Sequence, residues 1–128
     1  MITTITRRYH FESAHFLPHV PEGHKCKRMH GHNYELEVTV DGPVGDDGFI
    51  MDFWTLDEAV APLLALVDHR TLNDVPGLEN PTAENIGAWF LSRLAGTGAS
   101  ATRIYETKDC WADVAYETKA DARRDPDQ

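Results

Sequence analysis

Between Asn33 and Val40 the chain alternates without a break. Tyr34, Leu36, Val38 and Val40 are apolar, and Asn33, Glu35, Glu37 and Thr39 are polar. A period of two puts one set of side chains on a core and the other in water. A strand wet on one face belongs to an antiparallel sheet, because parallel sheets are covered on both faces. Helices must then cover the apolar face, and they follow directly. Leu56, Val60, Leu63 and Val67 keep helical spacing, with Asp52 or Thr55 placed to cap the start. Pro62 lies inside that pattern and is expected to kink or split the helix. A loop from Arg70 to Pro81 carries Asn73-Asp74, Pro76-Gly77 and Asn80-Pro81. Thr82 then reads as an N-cap with Glu84 in the first turn, Ala83, Ile86, Phe90 and Leu94 as the apolar stripe, and Gly96 as the stop.

The flanks supply the remaining strands. Ile2 to Phe16 is rich in Thr, Ile, Tyr and Phe without Gly or Pro, and reads as one long strand ending before a loop at Pro18, Pro21 and Gly23. Asp41-Gly42-Pro43 closes the second strand. Ala101 to Thr107 and Cys110 to Glu117 read as a final antiparallel hairpin. The order ββααββ predicts an α+β fold, a four-stranded antiparallel sheet with two helices on one face. The other face is expected to be polar or to meet another subunit. A chain of 128 residues makes one domain, placed at residues 1–118, with 119–128 read as a frayed tail.

The 21 acidic against 12 basic residues give a formal charge of −9, which argues against a nucleic-acid or anionic-membrane surface. A small anionic substrate remains compatible with a local basic cluster. No apolar run approaches the ~20 residues of a membrane span, and the first residues lack the order of a signal peptide. Cys26 and Cys110 form no disulfide framework; Cys110 is expected to be a half-buried strand thiol. A reduced, cytoplasmic protein fits.

Six of the seven histidines lie between His10 and His32. In His30-Gly31-His32 two imidazoles share one face of a strand, with no side chain between them to crowd the backbone. If the first two strands pair antiparallel, His15 falls beside them. Three histidines suit zinc with one position open, the mark of a catalytic site. The competing readings are solvent-facing strand histidines, or a closed structural site with Cys26 as fourth ligand. His10, His19 and His24 read as surface or hydrogen-bonding histidines. In Lys25-Cys26-Lys27-Arg28, three cations favour a thiolate, which suits a general base; the same run is either an anion clamp or a solvated turn. Asp68-His69 pairs a carboxylate with an acid or relay histidine. Glu106, in the hairpin, carries almost no weight by itself.

Together these segments resemble a known family. Phe11-Glu12-Ser13-Ala14-His15 and Cys26-x3-His30-Gly31-His32-Asn33-Tyr34 are similar to the signature of the 6-pyruvoyl-tetrahydropterin synthases and their 6-carboxy-5,6,7,8-tetrahydropterin synthase relatives of the queuosine pathway. Met51-Asp52-Phe53, Leu66 to Asn73, Pro81 to Asn85 and Glu106-Thr107 continue the resemblance in order, from about Tyr9 to Tyr116.

The resemblance implies the tunnelling fold, whose subunits join their sheets into a barrel, usually as a hexamer of two trimers. It implies 7,8-dihydroneopterin triphosphate as substrate and zinc as cofactor, held by His15, His30 and His32. It implies Cys26 as catalytic thiol and Asp68-His69 as relay. Glu106 would be pterin anchor, relay member or both, with Thr107 beside it. A product of 6-carboxy-5,6,7,8-tetrahydropterin with acetaldehyde and triphosphate is favoured by the short segment between Phe16 and Cys26. Elimination of triphosphate to a 6-pyruvoyl product is the alternative. A third branch, with a glutamate in place of the thiol, is disfavoured by Cys26 although Glu22 shares its loop. A non-catalytic pterin- or metal-binding module would lack the thiol or relay histidine. A zinc hydrolase would need a carboxylate beside the metal, for which Glu12 is the sequence-adjacent candidate.

Overall fold

In the computed structural model, which describes residues 1–117, the order is β1 (Thr3–His15), β2 (His30–Gly42), α1 (Phe53–Val67), α2 (Ala83–Arg93), β3 (Ala99–Thr107) and β4 (Cys110–Ala115). Short 3-10 turns occupy Lys25–Lys27 and Leu72–Asp74. The four strands form one antiparallel sheet in sequence order, with both helices contributing to a core on one face. The α+β architecture read from the sequence is the observed one. The boundary at 118 and the tail at 119–128 lie outside the described residues.

Alternation sets the faces as expected. Tyr9, Phe11, Ser13 and His15 of β1 and Tyr34, Leu36, Val38 and Val40 of β2 are buried. They meet Leu56, Val60 and Val67 of α1 and Ile86, Phe90 and Leu91 of α2. On the opposite face Arg8 reaches Glu37 at 2.6 Å and Glu35 at 3.3 Å, and Arg103 reaches Asp113 at 2.6 Å. Such exposed pairs add little stability; their effect is a polar surface where the helices are absent.

Asp52 caps α1 by accepting from Thr55 N, and Thr82 caps α2 by accepting from Asn85 N. Pro62 does not split α1, which runs unbroken through it. A proline removes one N–H and crowds one carbonyl, and burial of Leu56, Val60 and Val67 on both sides of it outweighs that local loss. Cys110 is exposed at the start of β4, not half-buried. It opens the strand immediately after the Lys108-Asp109 turn, before β4 gains cover.

Candidate active site

Antiparallel pairing sets His15 directly opposite His30 and Ser13 opposite His32. His15, His30 and His32 share the parity of the core-facing residues, so three imidazoles gather at one end of the sheet on its helix side. Glu106 joins them from β3. Alternation with the buried Thr102 and Ile104 puts its side chain on the same face of β3. One ligating atom from each of His15, His30, His32 and Glu106 lies within 4.8 Å of all the others.

The hydrogen bonds on the far side of these rings decide what the cluster can do. His15 Nδ1 lies 2.8 Å from the Pro81 carbonyl, and His30 Nδ1 lies 2.7 Å from the Arg28 carbonyl. A carbonyl only accepts, so each Nδ1 carries the proton and each Nε2 presents a lone pair. Those two Nε2 atoms face each other at 3.0 Å. Two lone pairs that close repel unless a proton or cation lies between them. His32 Nε2 is 3.2 Å from Glu106 Oε1, yet their geometry makes no hydrogen bond and the nitrogen is buried without a partner. Burial pushes the pKa of both His15 and His32 down, against the pull of Glu106, and so favours neutral, ligating imidazoles. Backbone carbonyls that fix the tautomer are the usual outer partners of metal-ligating histidines. The residues therefore fit a metal ion. Cys26 is outside this group, so a closed site with a thiolate ligand is not what the chain builds. Glu106 is the fourth residue of the group.

A second constellation sits where α1 ends on β1. Asp68 Oδ1 is 2.9 Å from His69 Nδ1. It also accepts from the Glu12 backbone N–H at 3.0 Å, which, ahead of His69, holds the carboxyl below its ordinary range. His69 adopts φ +55°, alone among the described non-glycine residues in having a positive φ. His tolerates this region better than most side chains. Three contacts to β1 fix it: His69 N donates to Glu12 O at 2.6 Å, Ala14 N donates to Arg70 O at 3.0 Å, and the buried Ser13 hydroxyl donates to Val67 O. Glu12 Oε2 lies 3.7 Å from His69 Nε2. The carboxylate of Glu12 thus lies beside His69, while that of Glu106 lies beside His32.

Cys26 is half-buried in its 3-10 turn, where its N–H donates to His24 Nδ1 at 3.0 Å and its carbonyl accepts from Leu17 N at 2.9 Å. Among the described residues no hydrogen bond or ion pair joins it to Asp68 or His69. Lys27 is committed to Glu22 at 2.6 Å. Thr107 Oγ1 accepts from Asp109 N at 3.2 Å in the hairpin turn.

The family model described as 6-pyruvoyl tetrahydropterin synthase matches residues 4–117. The chain belongs to the 6-pyruvoyl tetrahydropterin synthase family. Within it, the chain is 37% identical over 117 residues to the 6-carboxy-5,6,7,8-tetrahydropterin synthase of Synechocystis sp., covering 87% of this chain and 89% of that one. It is 35% identical over 94 residues to the dihydroneopterin monophosphate aldolase of Pyrococcus furiosus, covering 73% and 76%. The 6-pyruvoyl tetrahydropterin synthase of Caenorhabditis elegans superposes with a TM-score of 0.83 at 26% identity, over 91% of this chain and 97% of that one.

For this member of the 6-pyruvoyl tetrahydropterin synthase family, the residues missed from sequence are the ones that orient others. The Pro81 and Arg28 carbonyls act through the backbone and leave no mark on side-chain identity. Ser13 and Tyr34 had a readable cue, since both share the parity of the histidines. The Tyr34 hydroxyl lies 3.2 Å from His15 Nδ1, and burial pushes its pKa well up. His24 proves to be a hydrogen-bonding histidine, capping the turn that carries Cys26.

Proposed function

We propose that this chain converts 7,8-dihydroneopterin triphosphate into 6-carboxy-5,6,7,8-tetrahydropterin, acetaldehyde and triphosphate, with zinc as its metal. The observation that carries the reading is the pair of inward-facing Nε2 lone pairs of His15 and His30, 3.0 Å apart, with His32 Nε2 unpartnered beside them. Three histidines are a usual catalytic zinc set, and His15, His30 and His32 would hold the ion with Glu106 at the same centre. Bound there, zinc supplies Lewis acidity toward the hydroxyls of the substrate side chain.

The chain's own groups do the proton work. The Cys26 thiolate serves as base, and His69, held by Asp68 at Nδ1, gives or relays a proton. Glu106 accepts hydrogen bonds from the amino-pyrimidinone edge of the pterin, with Thr107 beside it. Among the described residues no hydrogen bond or ion pair joins Cys26 to His69, which is in keeping with a working site assembled between subunits. The free edges of β1 and β4 would be closed by neighbouring sheets in a hexamer of two trimers. No helix of the described residues is long and apolar enough to cross a membrane, and the cytoplasm, on a route to queuosine, is the proposed setting.

The carboxy product is supported by the short segment between Phe16 and Cys26 and by the Synechocystis relative's name. The second reading, elimination of triphosphate with the side chain kept as a 6-pyruvoyl group, is favoured by the likeness to the C. elegans structure. Incubation of the zinc-loaded protein with 7,8-dihydroneopterin triphosphate, followed by mass spectrometry, separates them. A carboxylated tetrahydropterin with acetaldehyde is expected. A pyruvoyl product selects the second reading, and unconsumed substrate overturns both.

A further inference from the structure

The last rung of the β1–β2 ladder is His15 opposite His30. Phe16 lies beyond it, and residues 17–29 then run from β1 to β2 and carry Cys26. Among the described residues, the hydrogen bonds and ion pairs of residues 17–27 stay within residues 17–28. Leu17 N donates to Cys26 O at 2.9 Å and closes the segment at its root. Its other end is tied where His30 Nδ1 meets the Arg28 carbonyl. The position of Cys26 against the histidine cluster therefore depends on how Phe16 and Leu17 leave β1.

Phe16 is held from the edge of β1 that faces away from β2. That edge is lined by the segment following α1. Asp68 Oδ1 accepts from Glu12 N, His69 N donates to Glu12 O, and Ala14 N donates to Arg70 O. The two segments run parallel, with a bridge between Ala14 and Thr71. At Leu72 the backbone enters its 3-10 turn and leaves the edge. The side chain of Asn73 supplies the next rung in its place. Its Oδ1 accepts from Phe16 N at 3.0 Å, and its Nδ2 donates to Phe16 O at 2.8 Å. Nδ2 also donates to the Glu79 carbonyl at 3.4 Å. Carbonyls only accept, so the NH₂ must face both of them and the orientation of the amide is determined. Among the described residues Phe16 has no other backbone hydrogen bond.

Resting on the reading above, we infer that Asn73 is a positioning residue for the reaction: its amide fixes Phe16, and through Leu17 it sets the Cys26 thiol against the cluster of His15, His30 and His32. It is assigned no contact with metal or substrate. His15 does not depend on it, because pairing with His30 and the Pro81 carbonyl hold that residue independently. Loss of Asn73 should therefore displace the thiol and spare the metal.

Zinc-loaded wild type is compared with Asn73→Ala, Asn73→Asp and Thr97→Ala. Asn73→Ala removes all three bonds. Asn73→Asp keeps the size and the acceptor for Phe16 N but turns an oxygen onto two carbonyls, and it carries the test where Asn73→Ala fails to fold. Thr97 is the control: its hydroxyl donates to Leu94 O at 2.6 Å and accepts from Ala99 N at 3.2 Å, in the loop that meets Val40 at the far end of β2 from His30. Alkylation by iodoacetamide is followed by peptide mass, which separates Cys26 from Cys110. Both Asn73 variants are expected to alkylate at Cys26 roughly 5- to 30-fold faster, as the loss of one or two such bonds loosens the segment. Zinc content should stay unchanged. With 7,8-dihydroneopterin triphosphate, kcat should fall roughly 10- to 100-fold and KM should stay within about twofold, since misplacement by about 1 Å costs a rate of that order. Thr97→Ala should change neither alkylation nor kcat. Wild-type alkylation or wild-type kcat in both Asn73 variants overturns the inference, as does an equal effect in Thr97→Ala or zinc lost in step with kcat. No turnover by wild type, with Cys26 alkylation still dependent on Asn73, would refute the pterin reading and leave the placement of the thiol standing.

Discussion

Gly87 sits in the middle of α2, buried against the sheet. A Cβ at that position would lie 2.8 Å from Val114 Cγ2 and 3.2 Å from Thr102 Oγ1. Two effects of Gly87→Ala compete. Helix propensity favours alanine by about 1 kcal/mol. Forcing a methyl into a filled contact costs about 1–3 kcal/mol. Val114 cannot swing aside cheaply, because a β-branched side chain is stiff at χ1. The buried bond from the Thr102 hydroxyl to the Gly87 carbonyl, 2.8 Å long, would lengthen as α2 lifts, at about 1 kcal/mol more. The net expectation is destabilisation by about 1–3 kcal/mol, opposite in sign to the same change at an open helix position. That lowers the melting temperature by roughly 5–10 °C for a chain of this size. The consequence reaches the site, because Thr102, Ile104 and Glu106 follow one another on the helix-facing side of β3, and Pro81, which holds His15, lies just before α2. Urea denaturation of metal-free protein should show a lower midpoint with an unchanged m-value. A midpoint equal to or above wild type would refute the packing argument.

Cys26→Ala should keep its zinc and lose about 10²–10⁴ in rate, as removal of a general base does; measuring metal content and turnover on one sample checks both, and full activity removes Cys26 from the chemistry. Glu106→Ala should weaken pterin binding roughly 30- to 150-fold, about 2–3 kcal/mol, and Glu106→Gln should recover little because its NH₂ opposes the ring's donors; calorimetry with a pterin showing unchanged affinity removes the anchor role. Metal-free protein should lose stability as pH falls below 6.5, the ordinary histidine value. Burial depresses His15 and His32, so the unfolded chain takes up protons first. The contribution is full above 6.5 and declines until the lower folded values are passed. Asp68, also depressed, adds a further loss only below 3.8, its ordinary value. Thermal melts from pH 8 to pH 5 check this, and a flat profile contradicts it.

The fold was legible because alternation in β2 and helical spacing in α1 and α2 are first-order consequences of which residues avoid water. Pro62 misled because a local penalty was weighed without the burial on either side of it. The three histidines were legible because period two and antiparallel pairing together determine that His15, His30 and His32 share a face. The face of Glu106 followed from the same alternation, two residues on from Ile104, but its meeting with the histidines did not, because nothing local to β3 says that the end of β2 lies beside it. Nor did the Nδ1–H tautomer of His15 and His30, which depends on two backbone carbonyls brought in by the Pro81 and Arg28 loops. Period two puts Glu12 on the face opposite His15, but its place beside His69 was not legible, because the turn after α1 brings that histidine in.

The central claim is that His15, His30 and His32 form a metal centre required for pterin turnover. Elemental analysis and turnover of the same purified sample test it most directly, in wild type and in His32→Ala. The account predicts about one zinc per chain in active wild-type protein, with metal and activity lost together in the variant. Active wild-type protein free of bound metal would contradict it.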